Sequence, residues 1–314
     1  MNLFDVTPKV KRKLNVLPEN PETKQDSKAV GPGRFPSWLH RDLPKGSGLA
    51  ETTKAIGSKR LHTVCEEARC PNLQECWSKK TATFLILGSE CTRSCGFCDI
   101  DFSKTPKAPE PDEPERVAES VKELGLKHVV ITMVARDDLP DGGSEHLASI
   151  CKAVRKENPE STLELLTFDF NGDKNAWKTV VDIGPEVFNY NLETVRSLTP
   201  RVRHKATYDR TLEFLAFAKK EKVLPTMKIK SGLMVGLGET DEEVKEAMRD
   251  LKAVGVDIVT LGHYLQPNKT KLRVKAFITP EQFDAWAEYG RSIGIPHVFS
   301  GPFVRSSYNA DLFV

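Results

Sequence analysis

The sequence predicts an α/β fold in which about six strand–helix units build one parallel sheet. Short apolar runs alternate with amphipathic helical patterns from Thr83 onward. Parallel neighbours need right-handed crossovers, so the sheet is either rolled into a barrel or doubly wound. The length of 314 residues allows one large barrel or two smaller domains.

The predicted strands and helices follow one another closely. The strands are TFLILG, KHVVITMV, TLELLT, EVFNYN, KIKSGLMVG and DIVTLG, and the helices are PERVAESVKELG, SEHLASICKAVRK, YDRTLEFLAFAKK, EEVKEAMRDLKAVG and EQFDAWAEYGRSIG. Two helix starts carry capping residues, because Thr240 precedes Glu243 by three positions and Thr279 precedes Pro280 and Gln282. Chemistry in parallel α/β folds sits at the carboxyl ends of strands, which marks the loops CTRSCGFC, ARDDLPDGG, NLETV and GLGET.

Three segments are predicted along the chain. Residues 1–47 are rich in proline, glycine and charge and predict an extended or partly disordered arm. Residues 48–80 have helical patterns broken by Pro71 and predict a small helical extension, and residues 81–314 hold the strand–helix units. The amino terminus lacks the apolar core of a secretory signal, so we expect a cytoplasmic protein without disulfides.

The composition excludes several classes of protein. A hydrophobic content of 39% and a charged content of 29% are typical of a globular chain, and no apolar run is long enough to span a bilayer. The formal net charge is +2 with both signs interspersed, so neither nucleic acid nor a membrane is an expected partner. Six of the seven cysteines lie between Cys65 and Cys98, whereas Cys151 stands alone in a helical pattern and is predicted to be buried.

Three cysteines in one compact loop point to iron–sulfur chemistry. Cys91, Cys95 and Cys98 supply three thiolates, one short of the four that close a cubane cluster. The remaining iron can bind the amino and carboxylate groups of S-adenosylmethionine and pass an electron to its sulfonium, which yields a 5′-deoxyadenosyl radical. A zinc site would need a fourth ligand, and the loop offers no histidine and only Asp99 and Asp101.

A second set of three cysteines lies just upstream. Cys65, Cys70 and Cys76 form the pattern VCEEARCPNLQECW, whose spacing alone is a weak signal. Two such sets in one small region are hard to explain as packing, which favours a second metal centre. Two zinc sites, or one cluster that shares all six thiolates, stay open as alternatives.

The motifs together resemble one enzyme family. VCEEARCPNLQECW, TATFLILGSECTRSCGFCDI, RDDLPDGG, NLETV, KSGLMVGLGET, YLQP and SGPFVRSSY occur in order between Leu61 and Asp311, and the sequence closely resembles the lipoyl synthases of the radical S-adenosylmethionine superfamily. The resemblance implies a partial parallel (β/α)6 barrel with a helical amino-terminal extension and a carboxyl-terminal extension. It also implies insertion of two sulfur atoms at C6 and C8 of an octanoyl chain on a lysine of a lipoyl carrier domain.

The resemblance also implies roles for individual residues and segments. Residues 48–80 would bind an auxiliary [4Fe-4S] cluster consumed as the sulfur donor, and residues 81–314 would form the barrel and the carboxyl-terminal RSSY segment. A serine of RSSY would complete the auxiliary cluster, and we favour Ser307 over Ser306. The implied cofactor ligands are Cys91, Cys95 and Cys98 for the radical-generating [4Fe-4S] cluster, Cys65, Cys70, Cys76 and Ser307 for the auxiliary cluster, and Asn191 and Glu193 for S-adenosylmethionine.

Partners follow from the same resemblance. Octanoylated lipoyl carrier domains, namely 2-oxoacid dehydrogenase E2 subunits and the glycine cleavage H protein, would be the substrates. An electron donor such as ferredoxin or flavodoxin and an iron–sulfur carrier protein would also be required. Without the resemblance, a biotin-synthase-like or methylthiotransferase radical enzyme and a non-enzymatic iron–sulfur or zinc module stay open.

Several positions depart from the pattern of the family. These positions are Ala135 in place of Asp, Phe168 in place of Pro, Tyr190 in place of His, His263 in place of Gln, and Lys271 in place of His. None of them is a cysteine or part of RSSY, so we expect the reaction to be retained. Arg136, Asp137 and Asp138 at the rim of the barrel are either cofactor contacts or a buried ion-pair network, and we favour the network.

Overall fold

The computed structural model describes residues 35–40, 48–79, 81–308 and 310. The chain divides into two compact units, residues 1–41 and 42–314. Among the described residues of the first unit, a 3-10 turn spans Ser37–Leu39. Most of the predicted arm, residues 1–47, lies outside the described residues.

The second unit alternates strands with helices. Its helices are α1 (Gly48–Gly57), α2 (Val64–Glu67), α3 (Leu73–Ser78), α4 (Glu113–Leu124), α5 (Ser144–Glu157), α6 (Lys174–Asp182), α7 (Thr199–Val202), α8 (Tyr208–Glu221), α9 (Asp241–Ala253) and α10 (Pro280–Ser292). Its strands are β1 (His62–Thr63), β2 (Thr83–Ile86), β3 (Glu90–Cys91), β4 (Asp101–Phe102), β5 (His128–Met133), β6 (Thr162–Leu166), β7 (Val187–Asn189), β8 (Lys228–Val235), β9 (Ile258–His263) and β10 (His297–Gly301).

One sheet of eight strands organises this unit. Its order is β1-β2-β5-β6-β7-β8-β9-β10, and every pairing is parallel except that of β1 with β2. Within the described part of the chain the sheet ends at β1 and β10, which do not pair, so the barrel is partial. The predicted fold class is confirmed.

Capping residues that are recognisable in the sequence mark the starts of two helices. The Thr240 side chain accepts a hydrogen bond from the backbone N–H of Glu243 in a full capping box at α9, and Thr279 accepts from Gln282 at α10. Both predicted caps are confirmed. Cys151 is buried within α5, also as predicted.

Helix α6 and strand β10 were missing from the sequence prediction, as were the short elements β1, β3, β4 and α7. Helix α6 begins after Asp173, whose side chain caps the N–H of Asn175, and its buried face includes Trp177 and Val180. This helix is only nine residues long and rich in β-branched residues, which weakens its helical signal. Strand β10 has no fully buried residue, so the apolar-run criterion did not find it.

A buried ion pair crosses the middle of the sheet. Lys230 on β8 and Glu164 on β6 have no solvent exposure, and their Nζ and Oε2 atoms lie 3.0 Å apart. Asn189 on the intervening strand donates to Glu164 at 2.9 Å. Burial opposes ionisation of both groups, yet Lys230 holds the pKa of Glu164 below its usual value.

The chain after β10 turns back over the sheet and towards α3. The Asn72 side chain donates to the carbonyl of Phe303 at 2.8 Å, and the Tyr308 hydroxyl donates to Glu75 at 2.8 Å. Further on, Ala310 packs among buried residues of β5, β7 and β9. Among the described residues, no helix combines the length and apolar character needed to cross a bilayer.

Candidate functional site

The loop with three cysteines follows β2 and is held from three sides by backbone hydrogen bonds. Thr92 donates to the carbonyl of Ala135, which follows β5, at 2.9 Å. The N–H of Gly96 donates to the carbonyl of Val202 in α7 at 2.9 Å, and Leu272 donates to the carbonyl of Gly96 at 2.9 Å. The loop is therefore fixed at the carboxyl end of the strands, where the sequence predicted it.

The three thiols of this loop converge. Burial raises the pKa of Cys95 to about 11 and that of Cys98 to about 12. Cys91 and Glu193 raise both pKa values further, and Cys95 also raises that of Cys98. Arg203 works in the opposite direction on Cys95. At neutral pH such thiols stay protonated until a cationic centre displaces the protons, which is the behaviour of metal ligands.

The second cysteine set converges in the same way on the segment from α2 to α3. Burial raises the pKa of Cys65 to about 11 and that of Cys76 to about 12, and the nearby Cys70 adds to both shifts. The fold of this segment is local, because Thr63 caps α2 and the N–H of Cys70 donates to the carbonyl of Cys65 at 3.0 Å. Three sulfurs from one short segment suit an iron–sulfur cluster.

The donor chemistry of both sets fits such clusters. In the described ranges, no three or more His, Cys, Asp or Glu side chains are arranged to hold a single metal ion. Each cysteine set instead offers three thiols from one short segment, which leaves one ligand position of a cubane cluster unfilled.

The RSSY segment lies between the sheet and the second cysteine set. The side-chain amide of Asn191 donates to the hydroxyl of Ser306 at 3.2 Å. Two residues later, Tyr308 bonds Glu75, the neighbour of Cys76. Ser307 stands between these two anchors in the sequence, so RSSY lies beside the segment that carries the second cysteine set.

Asn191 and Glu193 form a polar corner beside the radical-loop cysteines. The Asn191 side chain donates to Glu193 at 3.1 Å, and its Oδ1 is buried with no hydrogen-bond partner among the described residues. Burial raises the pKa of Glu193, and Arg203 opposes that shift. Glu193 also has a φ of 68°, an uncommon left-handed conformation for a residue with a side chain. This corner presents acceptors to a cationic group.

Charged residues tie the radical loop to the ends of β5 and β6. Arg93 binds Asp137 through Nη2 at 2.7 Å and Asp169 through Nη1 at 2.7 Å. Arg136 pairs with Asp138 at 2.8 Å, so the expected ion pairs at this rim are confirmed. The participation of Arg93 and Asp169 was not predicted. Asp169 nevertheless follows a predicted strand, at the carboxyl end where functional residues are expected.

A cavity of about 530 Å³ opens beside this network. Carboxylates and aromatic rings line it, among them Asp137, Asp138, Phe168 and Phe170. The rings of Phe168 and Phe170 are 4.4 Å apart, and the guanidinium of Arg93 lies 4.9 Å from the Phe168 ring. Aromatic faces and carboxylates are groups that bind a nucleoside by stacking and by hydrogen bonds.

Two further unusual positions, Tyr190 and His263, are buried. Arg203 donates to the hydroxyl of Tyr190 at 3.1 Å, and His263 on β9 donates from Nδ1 to the carbonyl of Tyr264 at 2.6 Å. Burial is the main cause that lowers the pKa of His263 to about 4. Both side chains are therefore part of the packed interior of the barrel.

The fold is similar to those of several solved structures. SuiB of Streptococcus suis bound to S-adenosylmethionine superposes with a TM-score of 0.53 at 14% identity, over 69% of this chain and 49% of that chain. HydG, a maturase of the [FeFe]-hydrogenase, gives a TM-score of 0.53 at 14% identity, over 73% and 58%. Residues 85–251 match the model of the Radical SAM superfamily, so fold and cysteine loop define a radical S-adenosylmethionine enzyme.

The rest of the chain identifies the family more narrowly. Residues 9–70 match the N-terminal domain of lipoyl synthase of the radical SAM family. The chain is 61% identical to the lipoyl synthase of Protochlamydia amoebophila over 310 residues, which cover 99% of this chain and 95% of that protein. It is 51% identical to that of Chlamydia felis over 299 residues, with 95% of each covered. The chain belongs to the lipoyl synthase family, and its cofactors are S-adenosylmethionine and [4Fe-4S] clusters.

Proposed function

We propose that the enzyme inserts two sulfur atoms at C6 and C8 of an octanoyl chain carried on a lysine of a lipoyl domain. The observation that carries the proposal is the position of RSSY, which bonds Asn191 at one end and Glu75 at the other. This segment joins the two cysteine sets across the sheet. Family membership supports the same activity.

The two cysteine sets have different proposed roles. Cys91, Cys95 and Cys98 hold the radical-generating cluster at the strand ends, next to the Asn191 and Glu193 corner. The buried, unpartnered Oδ1 of Asn191 and the carboxyl of Glu193 suit the ammonium group of S-adenosylmethionine. The aromatic cavity beside Asp137 suits its nucleoside.

Cys65, Cys70, Cys76 and Ser307 hold the auxiliary cluster in this proposal. Ser306 is engaged with Asn191, which supports Ser307 as the residue that turns to the cluster. A serine oxygen binds iron less firmly than a thiolate, so this position suits a cluster that must lose an iron when its sulfur is used.

The protein's own contribution is positioning. When bound, the cofactors supply a carbon-centred radical and the sulfur atoms. Arg93 fixes the radical loop to Asp137 and Asp169, while Tyr308 fixes RSSY to α3. These contacts keep the two cysteine sets at a constant separation, which a reaction between an alkyl radical and a sulfide requires.

The proposed partners follow from this activity. The substrates are octanoylated lipoyl carrier domains, such as those of 2-oxoacid dehydrogenase E2 subunits and the glycine cleavage H protein. A ferredoxin or flavodoxin supplies electrons, and an iron–sulfur carrier protein rebuilds the auxiliary cluster. The proposed location is the cytoplasm, where thiols stay reduced.

An anaerobic assay tests the proposal. Enzyme with both clusters is incubated with dithionite, S-adenosylmethionine and an octanoyl-lysine peptide, and mass spectrometry follows the peptide. We expect the addition of two sulfur atoms, and about eight irons and eight sulfides per chain before reaction. The Cys151→Ala enzyme serves as a control, because Cys151 lies on α5 outside both cysteine sets. Colourless protein that contains zinc, or an unmodified peptide, would contradict the proposal.

A further inference from the structure

Two segments on either side of the radical loop are basic and lack carboxylates. Residues 194–208 and 264–280 each contain four Lys or Arg residues and no Asp or Glu. The whole chain is nearly balanced, with 46 Lys and Arg against 44 Asp and Glu. The local excess of positive charge is therefore a property of this surface rather than of the composition.

Both segments contact the radical loop at the same residue, Gly96. The N–H of Gly96 donates to the carbonyl of Val202, and its carbonyl accepts from the N–H of Leu272, each at 2.9 Å. A Cβ atom added to Gly96 would lie 3.0 Å from the Leu272 side chain. Gly96 lies between Cys95 and Cys98 in the sequence. The two segments are therefore hydrogen-bonded to the backbone directly beside these cluster ligands.

Within the second segment, residues 272–279 alternate between partly buried and exposed positions. Leu272 and Val274 pack against the buried residues Val202, Leu237 and Tyr264. Lys269 and Arg273 are exposed, as is Arg201 on the first segment. We call Arg201, Lys269 and Arg273 the basic rim.

The cations of the basic rim are available to a partner. Within the described part of the chain, none of the three forms an ion pair or a side-chain hydrogen bond. The carboxylate that contacts the second segment, Asp99, bonds Asn268 and is paired with Arg69 at 2.8 Å. It therefore does not neutralise the rim.

We propose that the basic rim docks a small acidic electron-carrier protein that reduces the radical-generating cluster. The inference rests on the proposed function, in which each cleaved S-adenosylmethionine takes up one electron and the carrier is oxidised by one electron. Exposed cations steer and orient an acidic partner, and weak electron-transfer complexes need only a small interface. The rim presents exposed cations next to Val202 and Leu272, whose backbones bond Gly96 between Cys95 and Cys98.

The observations favour an electron carrier over the lipoyl carrier domain at this surface. An electron needs only proximity to the cysteine loop, which the two hydrogen bonds at Gly96 supply. An acyl chain needs an open path, and none of the rim residues lines the cavity beside Asp137.

Charge reversal of the rim tests the proposal. The Lys269→Glu/Arg273→Glu enzyme is loaded with both clusters, and 5′-deoxyadenosine formation is measured with an acidic flavodoxin hydroquinone and separately with dithionite. At low ionic strength, we expect the flavodoxin-driven rate to fall about tenfold or more while the dithionite-driven rate equals that of the parent. Flavodoxin binding, measured by titration calorimetry, should weaken in parallel and lose its dependence on salt.

A matched control carries the same change of charge elsewhere. Lys152 and Lys156 are exposed on α5, and the Lys152→Glu/Lys156→Glu enzyme should keep the parent rate with both reductants. An unchanged flavodoxin rate in the rim variant would overturn the proposal. Equal losses with both reductants would also overturn it, because the substitutions would then act on the loop itself.

Two further outcomes separate this inference from the proposed function. A raised KM for the octanoylated carrier domain with an unchanged flavodoxin rate would assign the rim to that domain and overturn the proposal. If the parent enzyme formed no 5′-deoxyadenosine with dithionite, the proposed function would fail. The calorimetric affinity for flavodoxin would still decide whether the rim binds an acidic redox protein.

Discussion

The side-chain amide of Asn191 donates a hydrogen bond to the hydroxyl of Ser306 at 3.2 Å, across 115 positions of sequence. This bond ties the end of β7 to the RSSY segment. Because Tyr308 also bonds Glu75, the segment is held between the radical loop and the second cysteine set. The predictions below test this arrangement and the barrel that supports it.

Substitutions in the two cysteine sets should impair different steps of the reaction. Cys95→Ala should abolish 5′-deoxyadenosine formation, because the radical-generating cluster loses a ligand. Cys70→Ala should retain part of that cleavage but add no sulfur to the octanoyl peptide. Chromatography of the nucleoside and mass spectrometry of the peptide separate the two steps, and equal loss of cleavage in both variants would contradict separate roles.

Ser306 and Ser307 should differ in their effect on sulfur insertion. Ser307→Ala should lower insertion about 100-fold while 5′-deoxyadenosine formation continues, because only the auxiliary cluster loses a ligand. Ser306→Ala removes one hydrogen bond to Asn191, worth about 1 kcal/mol, so insertion should fall by a factor of about five. Mass spectrometry of the octanoyl peptide gives both rates. The opposite ranking would make Ser306 the ligand.

His263 should make the stability of the protein depend on pH. Its pKa is lowered to about 4 in the folded protein, whereas an unfolded histidine titrates near 6.5. The unfolded chain therefore binds the extra proton between these values, and the stability present above pH 6.5 is lost as the pH falls towards 4.

The size of this effect can be measured by substitution. Between pH 7.5 and pH 5, the His263 contribution to the free energy of unfolding should fall by about 2 kcal/mol. His263→Gln places an uncharged side chain of similar size at the site and should remove that part of the pH dependence. Urea titrations of both proteins at each pH provide the comparison, and parallel pH profiles would show that His263 is not the cause.

Removal of one member of the buried Glu164–Lys230 pair should lower the free energy of unfolding strongly, whereas replacement of both members should lower it little. Lys230→Met leaves an uncompensated carboxylate between β6 and β8, and we expect a loss of about 3–5 kcal/mol in the free energy of unfolding. The double variant Glu164→Leu/Lys230→Met removes both charges and should recover most of that loss. Urea denaturation measures both, and a double variant as unstable as the single one would argue against the explanation by charge burial.

Short-range patterns in the sequence determined much of this protein. The alternation of apolar runs and amphipathic helices predicted the parallel sheet, and the caps at Thr240 and Thr279 lie where they were expected. The spacing of Cys91, Cys95 and Cys98 predicted a cluster site by itself, whereas the role of Cys65, Cys70 and Cys76 came from the family resemblance. Such signals depend on neighbours in sequence, which local geometry fixes.

The tertiary structure decided the contacts between distant segments. The bond from Tyr308 to Glu75 joins residues 233 positions apart, and Arg93 reaches Asp169 on another strand end. Neither pairing has a periodic signature, because it depends on the path of the whole chain around the barrel. The sequence alone therefore located the two cysteine sets, and only the folded sheet brought RSSY between them.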